Sequence, residues 1–273
     1  MFSAVEHLRS LYQGVVAIQG IVCNTKMDSW PLVSSPAPVA FIFLLYVWLV
    51  EAGPILMRHK QPLNLRVVLV LYNFSIVGLS AYMFYELLVT SLLSNYYLFC
   101  QPVDYSTNPL ALRMAKAIWW FFISKQIELS DTMFMILRKK HHQLSFLHVY
   151  HHCTMICNSW FLVKYVAGGQ SFFGCLLNSF VHIIMYLYYG LAAIGPQMKK
   201  YLWWKKYLTV LQLVQFLMIH LHTGYNLITN CDYPVGMNVM TLGYCTSLTI
   251  LFCNFYNQSY ISKRNTKYKL SVV

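Results

Sequence analysis

The chain has 273 residues, 58% of them hydrophobic and only 10% charged, with a mean hydropathy of +0.50. Soluble domains carry about a quarter charged residues, so the composition excludes an ordinary soluble enzyme. The net charge of +12 sits in short loops between apolar stretches, and no nucleic-acid partner is expected. Apolar stretches near twenty residues recur, about the length that crosses a ~30 Å hydrocarbon core. A bilayer admits only helices or closed barrels, and these stretches are long and non-alternating, so helices are expected.

The chain opens "MFSAVEHLRSLYQGVVAIQG". It lacks a basic n-region, and Glu6 and Arg9 interrupt the apolar run, so a signal peptide is not expected. Its mixed pattern suits either a short amphipathic helix at the membrane surface or a loosely ordered lead-in. Spans follow at 36–54, 66–90, 114–137, 145–165, 171–192, 204–228 and 236–260. The reading is an all-α polytopic membrane protein with seven transmembrane helices. It forms a single domain over 1–273, with 1–35 as a luminal or interfacial lead-in and 261–273 as a basic tail.

Basic residues crowd one side of this arrangement. Arg58, Lys60 and Arg66 lie between spans one and two; Arg138, Lys139 and Lys140 between three and four. Lys199, Lys200, Lys205 and Lys206 lie between five and six, and Lys263, Arg264, Lys267 and Lys269 in the tail. The positive-inside rule makes this side, with the C-terminus, cytosolic and puts the N-terminus on the far side. These residues anchor headgroups, and a basic mouth also attracts a polyanionic substrate; Lys139 and Lys140 are candidate contacts. Of eight cysteines, most fall within spans as small apolar residues. Cys100 and Cys231 instead fall in loops on the non-cytosolic side, where a disulfide can persist in an oxidising lumen. Topology alone leaves their pairing open.

Ionisable residues inside spans are rare and mark function by default. Span four carries "FLHVYHHC", with His148, His151 and His152 at i, i+3 and i+4 and therefore on one helix face. Span three carries "KQIELSDT", with Lys125, Glu128 and Asp131 spaced by three. Span five carries Asn178 and His182, and span six Gln212 and Gln215. At the helical rise, His151 and the polar groups of the other three spans lie roughly 9–20 Å inside the cytosolic ends of their helices. Four helices thus share one polar layer. A lone Gln in a span usually serves helix packing, and Lys125 with a carboxylate suits a structural ion pair equally well; the joined histidine face is harder to explain structurally. The tyrosines of "MYLYY" read first as packing, with Tyr186 able to donate a hydrogen bond into the layer. His220 and His222, near the luminal end of span six, read as structural.

HxxHH is ambiguous by itself. A diiron desaturase or hydroxylase would need several histidine boxes, and this chain has no second HxxHH and no HxxxH, which leaves two irons under-ligated. A single zinc could take three imidazoles. The third option is covalent catalysis: a neutral imidazole attacks a thioester and passes the acyl group onward, with a neighbouring carboxylate fixing its tautomer. A seven-helix transporter or receptor is a further alternative. No metal or other cofactor is expected.

The blocks "KQIELSDT", "FLHVYHH", "NSFVHIIMYLYYG" and "YLWWKKYLTVLQLVQF", in this order, resemble the very-long-chain fatty-acid elongase family over residues 30–260. The wording of "LNSFVHIIMYLYYG" and "TVLQLVQF" is most similar to the branch handling polyunsaturated and very long chains. The resemblance implies a 3-ketoacyl-CoA synthase of the endoplasmic reticulum, with six of seven helices ringing a narrow acyl tunnel open to the cytosol. Its substrates would be acyl-CoA and malonyl-CoA. It implies His151 as acyl acceptor, His148 and His152 in proton transfer and oxyanion or thiolate stabilisation, and His182 facing the malonyl group. Asp131 and Glu128 would orient imidazoles, with Lys125 balancing their charge; Asn178, Gln212, Gln215 and Tyr186 would line the substrate path. It also implies a luminal disulfide between Cys100 and Cys231. Membrane lipid and the other enzymes of the elongation cycle follow as partners, and a homo-oligomer is left open. One departure is the end "KYKLSVV", whose Lys267 and Lys269 are wrongly placed for a dilysine retrieval signal.

Overall fold

The computed structural model describes residues 27–229 and 231–262. The expectations for the first 26 residues and for the tail beyond residue 262 lie outside these. The described residues form eight α-helices and no strand: α1 (Ala37–Leu56), α2 (Arg66–Leu93), α3 (Pro109–Ile127), α4 (Ser130–Leu137), α5 (Phe146–Tyr165), α6 (Ser171–Ile194), α7 (Lys205–Ile228) and α8 (Val235–Tyr256). A π-helical turn, Asn257–Ser262, continues α8.

Local chemistry explains three of the boundaries. Asn108 caps α3, its Oδ1 accepting from Leu110 N at 3.0 Å, and Pro109 follows at the first position, where a missing N–H costs nothing. Ser145 caps α5 by accepting from His148 N at 3.3 Å. Gly195, at φ +132°, ends α6 in a conformation L side chains avoid.

Six of these helices pack in a closed order. α2 lies along α6 and also packs on α3; α3 packs on α5, α5 on α8, α8 on α7, and α7 on α6 again. α1 stands outside, against α5 and α4. Four segments are long and apolar enough, by length and composition, to cross a membrane: α1, α2, α6 and Val235–Ser262. α5 and α7 fall short because they carry histidines, amides and lysines inward. Large apolar side chains stay exposed on the outer faces, among them Phe41, Leu44, Val67, Leu71 and Ile250. That pattern belongs to a protein whose outer solvent is lipid.

The structure corrects one span. The single helix expected over 114–137 is two, α3 and α4, broken at Glu128 and Leu129. Both residues have ψ near −20°, the value of a 3₁₀ turn. Hydrogen bonds there run three residues back: Leu129 N to Gln126 O, Asp131 N to Glu128 O and Thr132 N to Leu129 O. Neither Pro nor Gly marks the break. In 3₁₀ geometry residues i and i+3 eclipse, which stacks Lys125, Glu128 and Asp131 on one side.

Cys100 and Cys231 form a disulfide, joining the loop after α2 to the loop before α8. Gly168 and Gly169, at φ +143° and +57°, turn the chain from α5 into α6 beside the same loop.

Candidate active site

The helix ring encloses a cavity of about 990 Å³. Arg138, His142, Lys205 and Tyr260 line one end; Gln170, His222, Tyr233 and Asn238 line the other. Between them, His148, His151, His152 and His182 face the same space. The polar layer expected from four spans is therefore one site, its groups delivered by α3–α4, α5, α6 and α7.

The charged core of the layer is a triad built at the helix break. Lys125 Nζ lies 2.9 Å from Glu128 Oε1 and 3.2 Å from Oε2. His182 Nδ1, from α6, lies 3.2 Å from Glu128 Oε1 and 3.3 Å from Lys125 Nζ. Lys125 and Glu128 are 3% and 1% exposed, where a lone charge is very costly and a hydrogen-bonded pair is required. The imidazole that Glu128 meets is that of His182.

Asp131 differs from expectation: no histidine touches it. Its Oδ2 accepts from the Tyr186 hydroxyl at 2.7 Å. Tyr186, 1% exposed, is accordingly anchored to the layer through its ring and its hydroxyl together. The eclipsed stack at the break points Asp131 toward α6 and away from α5, which explains the change of partner.

The α5 histidines have separate surroundings. His148 Nε2 bonds Thr132 Oγ1 at 2.8 Å, and Thr132 in turn meets the Tyr46 hydroxyl of α1 at 3.0 Å. His152 packs its ring against those of His148, His151 and Tyr46, at centroid distances of 4.4, 5.4 and 6.1 Å. His151 Nδ1 bonds the Tyr244 hydroxyl of α8 at 2.7 Å. Among the described residues, no group of three His, Cys, Asp or Glu side chains is arranged to hold a metal ion.

The amides line the cavity too. Among the described residues, Asn178 Oδ1 is buried without a partner, Gln212 Nε2 meets Met185 Sδ at 3.5 Å, and Gln215 is buried against the same space. At the basic end, Lys139 and Lys140 lie outside the cavity lining. Lys139 Nζ donates to Arg58 O at 3.0 Å, Lys140 is exposed, and the lining residues there are Arg138, His142 and Lys205. Lys139 sits in a tight turn at φ +55° between Arg138 and His142, both of which line the cavity.

At the opposite end the histidines are structural, as read. His220 bonds Phe216 O and Thr246 Oγ1, at 2.8 and 3.0 Å. His222 Nε2 donates to Leu98 O at 2.7 Å and stacks on Phe173. Burial raises the Tyr233 hydroxyl well above the ordinary phenol range, and this loop residue lines the cavity.

Three contributors escaped the sequence reading: Tyr244, Thr132 and Tyr46. Thr132 had a signal, since it belongs to the "SDT" of the same block. Tyr244 and Tyr46 had none, since nothing in either span sets these tyrosines apart from packing residues.

Residues 31–268 match the family described as ELO: GNS1/SUR4 family. The chain is 48% identical over 249 residues to the human protein named very long chain fatty acid elongase 4, covering 90% of this chain and 78% of that one. It is 44% identical over 260 residues to human very long chain fatty acid elongase 1, covering 94% and 91%. It is 42% identical over 270 residues to Drosophila melanogaster very long chain fatty acid elongase 7, covering 98% and 82%. With the family matched along nearly the whole helical region, this chain belongs to the ELO (GNS1/SUR4) family.

Proposed function

We propose that the protein is the condensing enzyme of fatty-acid elongation, joining a long-chain acyl-CoA to malonyl-CoA with loss of CoA and carbon dioxide to give 3-ketoacyl-CoA. The observation that carries this reading is that four histidines line one cavity and one of them, His182, is joined to the buried Lys125–Glu128 pair. A cavity with basic groups at one end, imidazoles in the middle and an apolar wall beyond suits a CoA thioester. The polyphosphate rests at the mouth, the carbonyl at the histidines and the alkyl chain in the depth.

In this reading seven spans cross the endoplasmic reticulum membrane, and the helix ring is an acyl tunnel opening to the cytosol at Arg138, His142 and Lys205. His151 attacks the thioester carbonyl; CoA leaves, and malonyl-CoA enters in its place. Decarboxylation yields an enolate whose carbon takes the acyl group from the imidazole. His182, held by Glu128 and Lys125, faces the malonyl unit, and His148 and His152 serve the departing thiolate and the enolate oxygen. Asp131 positions Tyr186, and Asn178 offers an unspent carbonyl oxygen to the substrate path. A ketoreductase, a dehydratase and an enoyl reductase would complete the cycle.

Intact-mass measurement after mixing purified protein with acyl-CoA alone tests this. An acyl adduct that malonyl-CoA discharges, and that His151→Ala abolishes, is the expected result. Condensation without any adduct sinks the covalent step. Stoichiometric iron with activity lost to chelators would sink the whole assignment.

A further inference from the structure

α1 stands outside the helix ring, yet it sends one polar group to the site. The Tyr46 hydroxyl meets Thr132 Oγ1 of α4 at 3.0 Å, and the same oxygen meets His148 Nε2 of α5 at 2.8 Å. Gly53, two turns along α1, permits the close approach to α4: a Cβ there would meet Ile136 Cδ1 at 2.9 Å. Tyr46 and Thr132 are both buried, so each hydroxyl proton has to find its acceptor inside the protein. Among the described residues, the Tyr46 hydroxyl bonds Thr132 alone, and Thr132 Oγ1 bonds Tyr46 and His148. One orientation spends both protons: Tyr46 donates to Thr132, and Thr132 donates to the lone pair of His148 Nε2. Every other arrangement leaves one hydroxyl proton without an acceptor. With Nε2 accepting, the neutral His148 ring carries its proton on Nδ1.

We infer that Tyr46 and Thr132 are positioning residues that fix His148 as the Nδ1–H tautomer, and so present a hydrogen-bond donor to the carbonyl oxygen of the bound thioester. The donor role rests on the acyl-histidine reading; the tautomer does not. Nδ1 of His148 has no hydrogen-bond partner among the described residues, and the ring lines the cavity on the same helix face as His151. His182 is held the other way round, with its Nδ1 beside Lys125 and Glu128. The chain of hydroxyls also gives α1 a part in the chemistry, although it takes no place in the ring.

The step balances without further reagents. A lone pair of His151 forms the N–C bond, and the carbonyl π pair moves onto oxygen, which accepts from His148 Nδ1–H. As the oxyanion collapses the C–S bond breaks, and its pair leaves on the CoA sulfur as thiolate. His148 keeps its proton throughout. A neutral imidazole suffices because the developing charge needs a fixed donor and no proton transfer.

Nitrogen NMR of the histidine-labelled full chain in detergent, with the His148 signals assigned by their loss in His148→Gln, reads the tautomer directly. The expected result is a proton on Nδ1 and a bare Nε2 in the wild type, with the proton shared between both nitrogens in Thr132→Val. A wild-type His148 protonated on Nε2 overturns the inference, whatever reaction the site performs. Rapid-quench intact-mass measurement with acyl-CoA and no malonyl-CoA then reads the donor role. Thr132→Val frees the ring to turn and should slow adduct formation about tenfold, while the Kd for acyl-CoA stays within about twofold. Thr132→Ser, which keeps the hydroxyl, should regain the fast rate, a rescue that a packing role would not give. Tyr46→Phe lets Thr132 accept as well as donate, so it should mix the tautomers and slow the adduct less; it replaces Thr132→Val if that variant does not survive purification. An adduct formed at the wild-type rate in the variant measured overturns the donor role. No adduct in the wild type overturns the acyl-histidine reading, and the nitrogen spectrum still decides the tautomer.

Discussion

Glu128 and His182 meet across two helices, Oε1 to Nδ1 at 3.2 Å, and the same carboxylate oxygen takes Lys125 Nζ at 2.9 Å. One oxygen thus ties a backbone break in α3–α4 to the middle of α6. Removing Glu128 strands a buried ammonium, a change that costs about 3–5 kcal/mol. Glu128→Gln is expected to lower the thermal unfolding midpoint in detergent strongly and to abolish condensation. Lys125→Met combined with Glu128→Gln should recover most of the stability and none of the activity. A double variant as unstable as the single would refute the pairing as the source of the loss.

Gly174 on α6 lines the cavity, and a Cβ added there meets nothing within 4 Å. It lies two helical turns from His182, about 12 Å farther along the axis. Gly174→Leu is therefore expected to fold normally and to shorten the space beyond the histidines. In an elongation assay over a ladder of acyl-CoA lengths, the longest accepted primer should become shorter while short primers keep their rate. An unchanged length limit would place the alkyl chain elsewhere.

Gly169 adopts φ +57°, and a Cβ there would meet Val103 N at 2.9 Å and Gln101 O at 3.0 Å. Backbone atoms cannot give way as a side-chain tip can, and the left-handed conformation adds strain. Gly169→Ala is expected to cost at least about 1–3 kcal/mol, read as a fall in unfolding midpoint. Gly174→Ala serves as the control that should leave it unchanged.

The disulfide between Cys100 and Cys231 closes a loop containing most of the helix ring. Cys100→Ser should lower stability by about 2–5 kcal/mol. Cys100→Ser and Cys231→Ser should give the same midpoint as each other and as their combination, because each removes the same bond. Different midpoints would mean that one thiol has a separate role.

The layer was legible because residues on one helix face repeat at three and four, so His148, His151 and His152 declared themselves in "HVYHH". Depth from the cytosolic ends then aligned Lys125, Glu128, His182 and Gln215. Partner choice between helices was not legible. Periodicity places a side chain on a face but does not say which residue of another helix stands opposite. Asp131 was assigned to an imidazole and found on Tyr186 for that reason. Tyr244 was invisible among the 21 tyrosines of the chain, since nothing in "GYCTS" separates a hydrogen-bonding phenol from a packing one. The break at Glu128 was hidden because no Pro or Gly announced it.

The bond between Cys100 and Cys231 also carries information about history. Thiols are kept reduced on the cytosolic side of cellular membranes and oxidised in the secretory lumen. A chain inserted upside down would present these two loops to the reducing side, and the bond would not persist. Under the topology proposed above, with both loops in the lumen, the disulfide is a covalent stamp of insertion direction, and gel mobility with and without reductant tests that topology in a single lane pair.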